Sequence, residues 1–168
     1  MIVIVLGLPG SGKSYFASHL AVMLGADYVN SDRLRKELFP KRTYSDAEKA
    51  KVYATMFQKM EEVIGQGKNL VLDATFHKNA TRKQFVDYLK VKEQLFFIEV
   101  QAKEKTIKER LKKSRPYSEA DFKVHKLIRQ QWEPLQIPHL TIESTNDNIE
   151  NMLQAAALYL NHEPKSNR

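Results

Sequence analysis

Residues Gly7 to Ser14 read Gly-Leu-Pro-Gly-Ser-Gly-Lys-Ser: a glycine, four free positions, then Gly-Lys-Ser, which is the P-loop pattern. The flanking residues fix its setting. Met1 to Leu6 is an unbroken apolar run rich in Ile and Val, the composition of a parallel strand buried on both faces. Tyr15 to Leu24 continues as a helix. Strand, glycine loop and helix therefore follow one another in the order an anion-binding βα turn requires.

The chemistry of the loop follows from its residue types. Gly7, Gly10 and Gly12 lack a Cβ, so the backbone can turn tightly and aim successive N–H groups at phosphate oxygens, backed by the positive end of the helix. Lys13 offers a point charge to the β- and γ-phosphates of ATP, and the Ser14 hydroxyl a ligand to the bridging Mg²⁺. With Leu8, Pro9, Ser11 and Tyr15 these residues form the expected ATP-binding segment. A glycine-rich turn without a ligand is the competing reading, and the strand and helix on either side argue against it.

Length and composition bound the rest. At 168 residues the chain fits one domain with a good core and leaves no room for a second. The absence of cysteine excludes disulfides and thiolate metal sites. No basic region precedes the apolar start, and the apolar runs are too short to cross a bilayer, so a cytoplasmic protein without a membrane partner is expected. The net charge of +7 is localised: Lys78 to Arg115 holds twelve Lys and Arg against five Asp and Glu, and the remainder balances. Such a segment either attracts phosphorylated or polynucleotide substrates or is solvated helix surface.

Strand and helix signals alternate along the whole chain. Strands are expected at Met1 to Leu6, ending at Tyr28 to Asn30, and at Asn69 to Asp73, Leu95 to Val100 and Leu140 to Glu143. Helices are expected at Asp32 to Leu38, from the Ser45 to Glu48 capping box as far as Gly65, and at Asn79 to Leu89. Further helices are expected at Lys103 to Lys113 (stopped by Pro116), from a Ser118 to Asp121 cap to about Gln131, and at Ile149 to Leu160. Val52, Met56, Met60 and Val63 recur at helical spacing as core. The expected fold class is α/β: a P-loop NTPase fold with a five-stranded parallel sheet, helices on both faces and a helical lid at about 103–131, resembling nucleoside-monophosphate kinases. One domain over 1–161 and a polar tail over 162–168 complete the division.

Two constellations fall at carboxyl ends of strands. Asp32 and Arg35, three apart on a first helical turn, can project together; the carboxylate could accept a hydroxyl proton and the guanidinium hold an anionic acceptor. Taken alone, Asp32 reads first as a cap of its helix, because Asp is a preferred cap residue. Asp73 follows Leu70-Val71-Leu72 in a Walker-B-like arrangement, where an acid can hold the Mg²⁺ shell or orient an arginine, or cap a helix. His77 reads as an ordinary loop histidine, and Trp132, Pro134, Pro138 and His139 as a connection packed on the core.

The Gly7 to Ser14 loop, the Asp32 and Arg35 pair, Leu72-Asp73-Ala74-Thr75 and an arginine-bearing lid together resemble the small P-loop kinases related to polynucleotide 5′-hydroxyl kinase, over about residues 1–145. The toxin kinases that phosphorylate UDP-N-acetylglucosamine share this layout. The resemblance implies that Asp32 is the general base, that Arg35 contacts the acceptor's phosphate and that Asp73 positions that arginine. It places Arg110 near the nucleotide base and Arg115 near the transferred phosphate. The implied catalytic set is thus Lys13, Asp32 and Arg115, the acceptor set Asp32, Arg35 and Asp73, and the metal ligands Ser14 and Asp73. The implied partners are ATP, Mg²⁺ and a hydroxyl-bearing acceptor, with a nucleic acid among the candidates and no obligate protein partner. The chain departs from the polynucleotide kinases in lacking a phosphatase module, and its Phe76, His77 and Arg82 match no assigned acceptor contact. A kinase for a small alcohol or UDP-sugar and a non-catalytic ATP-binding module are the alternatives; no Asn-Lys-x-Asp guanine-reading motif is present.

Overall fold

Alternate residues of the apolar runs leave on opposite sides of a pleated strand, so a run that is apolar at every position needs cover on both faces. The computed structural model, which describes residues 1–89, 95–115 and 117–161, provides that cover. Its elements run β1 (Ile2–Leu6), α1 (Lys13–Leu24), β2 (Asp27–Asn30), α2 (Ser31–Leu38), α3 (Asp46–Gly65), β3 (Leu70–Asp73) and α4 (Asn79–Leu89). Then follow β4 (Leu95–Gln101), α5 (Glu104–Leu111), α6 (Phe122–Gln130), β5 (Leu140–Glu143) and α7 (Ile149–Asn161). The five strands form one sheet in the order β2-β3-β1-β4-β5, with every pairing parallel.

The two faces carry separate cores. Ile2, Ile4 and Leu6 of β1 join Leu70, Leu72 and Phe97 against α3 and α4, while Val3, Val5, Val71, Phe96 and Ile98 pack against α1 and α7. On the first face Phe85 meets Phe57 and Phe76 edge to face, with centroids 5.4 and 5.3 Å apart, a geometry that favours the ring quadrupoles. Trp132, Leu135 and Ile137 of the α6–β5 connection close this core, as expected from the sequence.

The register brings the site together. Asp73 stands opposite both Val5 and Asn30, so the ends of β1, β2 and β3 lie level at the carboxyl edge of the sheet. The strand order turns away from β1 on both sides, which opens the crevice where doubly wound sheets bind ligands.

Two expectations change in detail. Ser118 does not open α6; the Asp121 carboxylate caps it, accepting from Val124 N–H at 2.9 Å, because the helix begins at Phe122 and the cap must directly precede it. The helix expected to reach Lys113 ends at Leu111, with Arg115 in the connection that follows. The proline stop at residue 116 and the tail at 162–168 lie outside the described residues.

Arg82, which matched no acceptor contact, is a staple. It is 3 % exposed and donates to the carbonyls of Phe76 (2.8 Å), Glu133 (2.5 Å) and Pro134 (3.4 Å) and to the Asn79 side chain. It thereby ties the β3–α4 loop to the α6–β5 connection. Arg82→Ala strips buried carbonyls of their donor and is expected to cost about 2–4 kcal/mol of unfolding free energy, measured by urea denaturation; a loss within experimental error would refute the staple.

Candidate active site

The glycine loop needs its glycines for space as well as for turning. Gly12 has φ +92° and a Cβ there would meet the Ser144 hydroxyl at 2.6 Å; Gly7 has φ +153° and its Cβ would sit 2.4 Å from the Val100 carbonyl. Any other residue would push the loop off the ends of β4 and β5. Lys13 opens α1, and with Ser14, Tyr15, Arg110, Arg115 and the Ser144–Asn146 turn it lines a cavity of about 460 Å³. Leu8 and Ser11 instead face a second cavity of about 400 Å³ beneath α5 and α6. At that second cavity Glu104 pairs with Arg129 at 3.0 Å, and Glu99 lies 3.7 Å from the His139 ring.

Behind the loop lies a buried carboxylate. Asp73 is fully buried at the end of β3, and its Oδ2 accepts from the Tyr28 hydroxyl (2.7 Å) and from Asn30 Nδ2 (2.5 Å). Asn30 Nδ2 also lies 3.3 Å from Ser14 Oγ, so one amide spans the P-loop serine and the β3 acid. The same side chain caps α2 through Oδ1, which accepts from Arg33 N–H at 2.9 Å. Burial and the Asp73 charge push the Tyr28 hydroxyl well above its usual range, so it stays a donor. Asp73 Oδ1 is buried without a partner. A carboxylate oxygen without a partner, on an acid that Asn30 links to the Ser14 hydroxyl, fits Mg²⁺, which takes oxygen ligands and usually binds through one or two carboxylates.

Asp32 and Arg35 do project together. Arg35 Nη1 donates to Asp32 Oδ1 at 3.1 Å, and Asn30, not Asp32, caps α2, which leaves Asp32 in the first turn. Arg35 is 8 % exposed, and its second partner is Glu48, whose Oε1 lies 3.3 Å from Nε. Asp73 does not touch Arg35: its carboxylate is turned to Tyr28 and Asn30, and Glu48 on α3 does the holding. Burial raises the Glu48 carboxyl, but hydrogen bonds from Thr43 and Tyr44 and the Arg35 charge outweigh it and bring the pKa below the usual carboxylate range.

Helix α5 is tied down through Arg110. Its guanidinium donates to Ser144 Oγ (2.8 Å), Thr145 O (2.8 Å), Ser11 O (3.1 Å), Gly10 O (3.3 Å) and Asn146 Oδ1 (3.3 Å). It thus joins α5 to the P-loop and to the β5–α7 turn at the wall of the larger cavity. His125 of α6, 2 % exposed, donates from Nδ1 to the Pro9 carbonyl at 2.9 Å, since a carbonyl can only accept. Arg115 is half-buried; burial lowers its pKa and the nearby Asp32 charge offsets part of that. Its Nη2 donates to Ala120 O at 2.5 Å within the same connection. His77 is half-buried, and burial with the Lys78 and Lys49 charges pushes its pKa below the usual imidazole range.

The profile of the AAA domain family matches residues 2–135, the greater part of the chain and all of these elements up to the α6–β5 connection. The chain belongs to the AAA domain family. No curated protein matches the sequence. Among solved structures this AAA domain is similar to an unliganded sugar kinase from Janibacter sp. HTCC2649 (TM-score 0.72, 17 % identity, covering 95 % of this chain and 93 % of that one). It is similar to a gluconokinase from Sinorhizobium meliloti 1021 (TM-score 0.69, 15 % identity, 94 % and 90 %) and to Chaetomium thermophilum Kti12 in complex with ADP-AlF3 (TM-score 0.70, 17 % identity, 95 % and 97 %). At these identities the likeness is one of fold.

Sequence reasoning missed several residues of the AAA domain's site. Tyr28 and Asn30 lie at the end of β2, and only the β2–β3 register sets Asn30 opposite Asp73. Glu48 was visible as the last residue of a capping box, yet its carboxylate reaches back to Thr43 and Tyr44 and sideways to Arg35. A depressed carboxyl pKa stabilises the fold above the unfolded pKa, and the contribution disappears as pH falls through the folded one. Glu48→Gln is therefore expected to lower the thermal midpoint at pH 7 and to converge on the wild type as pH falls through the lowered Glu48 pKa, followed by calorimetry across pH. A gap that stays constant with pH would show that the carboxylate charge is not what stabilises.

Proposed function

We propose that this AAA domain is a phosphotransferase that moves the γ-phosphoryl group of ATP to a hydroxyl on an acceptor bearing its own negative charge. One observation carries the reading: Arg115 lines the cavity that holds Lys13 and Ser14, and it also lies in the field of Asp32, itself paired with Arg35. A phosphate-binding loop, a carboxylate and two guanidinium groups thus meet where a phosphoryl group would pass.

Each group has work that its position suits. The loop N–H groups and Lys13 hold the phosphates, and Arg110 shapes the wall on the nucleotide-base side. Asp32, oriented by Arg35, takes the proton from the attacking hydroxyl; Arg35 also meets the acceptor's charge, and Arg115 opposes the charge spread over the transferring phosphoryl. Ser14 and Asp73 would hold Mg²⁺, which when bound neutralises charge on the phosphates.

Structures described as a sugar kinase and a gluconokinase share the fold and support a small acceptor. The basic segment points the same way, because Lys78, Lys83, Lys103, Lys108 and Lys112 each pair with a carboxylate of the fold. A 5′-hydroxyl of a nucleic acid or nucleotide is the second reading, favoured by the net positive excess of that segment.

The test is γ-labelled ATP with Mg²⁺ and a panel of acceptors: sugar acids, neutral sugars, UDP-sugars, nucleosides, and 5′-hydroxyl DNA and RNA oligonucleotides. Label on an anionic small alcohol supports the first choice, label on an oligonucleotide the second, and no label on any acceptor despite ATP binding would sink the phosphotransferase reading. Asp32→Asn is expected to lower transfer by a factor of about 100 or more with ATP affinity nearly intact. Unchanged turnover would remove the base assignment. Arg115→Ala is expected to reduce turnover more than ATP affinity, and the reverse pattern would make it a nucleotide-binding residue.

A further inference from the structure

Tyr44 sits in the connection between α2 and α3 with φ +57°, a left-handed backbone that a bulky side chain rarely adopts. Such a conformation persists where its surroundings over-determine it. Glu48 supplies that restraint: its Oε2 accepts from Thr43 N–H (2.7 Å), the Thr43 hydroxyl (2.9 Å) and Tyr44 N–H (3.1 Å). Its Oε1 faces Arg35, and the Arg35 guanidinium lies over the Tyr44 ring, 5.1 Å from the centroid. The ring is therefore one wall of the socket that seats Arg35.

The other end of the same side chain reaches the lid. The Tyr44 hydroxyl donates to Glu119 Oε2 at 2.8 Å, and Arg42 pairs with Glu119 Oε1. Glu119 belongs to the α5–α6 connection that carries Arg115, and the same connection places Tyr117 against Arg33 of α2 at 4.6 Å. Glu119 is about half exposed, so its bonds are of the weak, reversible surface kind.

We propose that Tyr44 is a positioning residue that couples docking of the α5–α6 connection to the seating of Arg35. When Glu119 holds the hydroxyl, the ring is fixed against the guanidinium, and Arg35 and Arg115 are set together; when the connection lifts, the ring loses its outer anchor and Arg35 loses one wall. This rests on the reading that Asp32 and Arg35 serve the acceptor, but the coupling can be measured without catalysis. Because coupling is reciprocal, a change at Arg35 must loosen a connection that it does not contact.

The experiment is limited trypsin cleavage of the full chain at the Lys113–Ser114 bond, in the α5–α6 connection, with thermal midpoints taken alongside. Tyr44→Phe keeps the ring and removes the hydroxyl, and is expected to speed cleavage about fivefold, on the scale of one exposed pair. Glu119→Ala should match it, and Glu119→Gln, which keeps an accepting oxygen, should recover most of the protection. Arg35→Lys keeps a cation beside Glu48 and loses the planar face, so it should speed cleavage in the wild-type background and add little to Tyr44→Phe. Wild-type cleavage in Tyr44→Phe, or an Arg35→Lys effect that is absent or fully additive, would overturn the coupling. On an acceptor that takes label, Tyr44→Phe should raise the acceptor KM several-fold and leave the ATP KM in place. If no acceptor takes label, the catalytic reading fails while the cleavage rates still decide the coupling.

Discussion

A carboxylate buried without a full complement of partners is among the most costly groups a fold can hold, and Asp73 is one, with no exposed surface and one oxygen unpaired. The other oxygen is met by two donors from β2, Tyr28 and Asn30. That requirement fixes more than one side chain. Asn30 can reach Asp73 only if β2 lies beside β3 in the observed register, and from there it touches Ser14 and caps α2. The cap sets where α2 begins and hence where Asp32 and Arg35 stand. A single buried charge thus organises the edge at which the P-loop, β2 and β3 meet.

On the far side of the loop the same economy of contacts recurs with the sign reversed. Arg110 brings a cation to the P-loop carbonyls and the β5–α7 turn, and Ser144 Oγ adds a bond to Ser11 O at 2.7 Å. His125 reaches the Pro9 carbonyl from α6. The carbonyls of Pro9, Gly10 and Ser11 are taken by α5, α6 and the β5–α7 turn, and the Ser11 N–H turns back to Leu8 O at 3.1 Å. Binding face and support face of the loop are separated by which backbone atoms the rest of the protein satisfies.

The fold was largely legible. Runs such as Ile2 to Leu6 and Leu70 to Leu72 alternate between two cores, which only a sheet covered on both sides can bury, and Val52, Met56, Met60 and Val63 mark one stripe of α3. The P-loop and the Asp32 and Arg35 pair were legible because their geometry is local, within a turn or two of chain. Asp121 as the cap of α6 was misread as Ser118 because both residues are good caps and three positions separate them. Glu48 as the holder of Arg35, and Tyr44 between Arg35 and Glu119, were not legible. Those contacts join residues nine or more positions apart across three segments, and no spacing rule within one helix encodes them.

What the sequence by itself determined was the set of local solutions: an anion-binding turn between a strand and a helix, an alternating series of strands and helices, and acids at strand ends. Local patterns suffice there because backbone sterics and hydrophobic periodicity act over a few residues. What only the tertiary structure decided was which groups share a field. Asp73 was given to Tyr28 and Asn30, Arg35 gained Glu48 beside its helix neighbour Asp32, and Arg115 was brought to the cavity of Lys13. Strand order and the packing of α3, α5 and α6 set those pairings, because an electrostatic contact depends on distance through space and not along the chain.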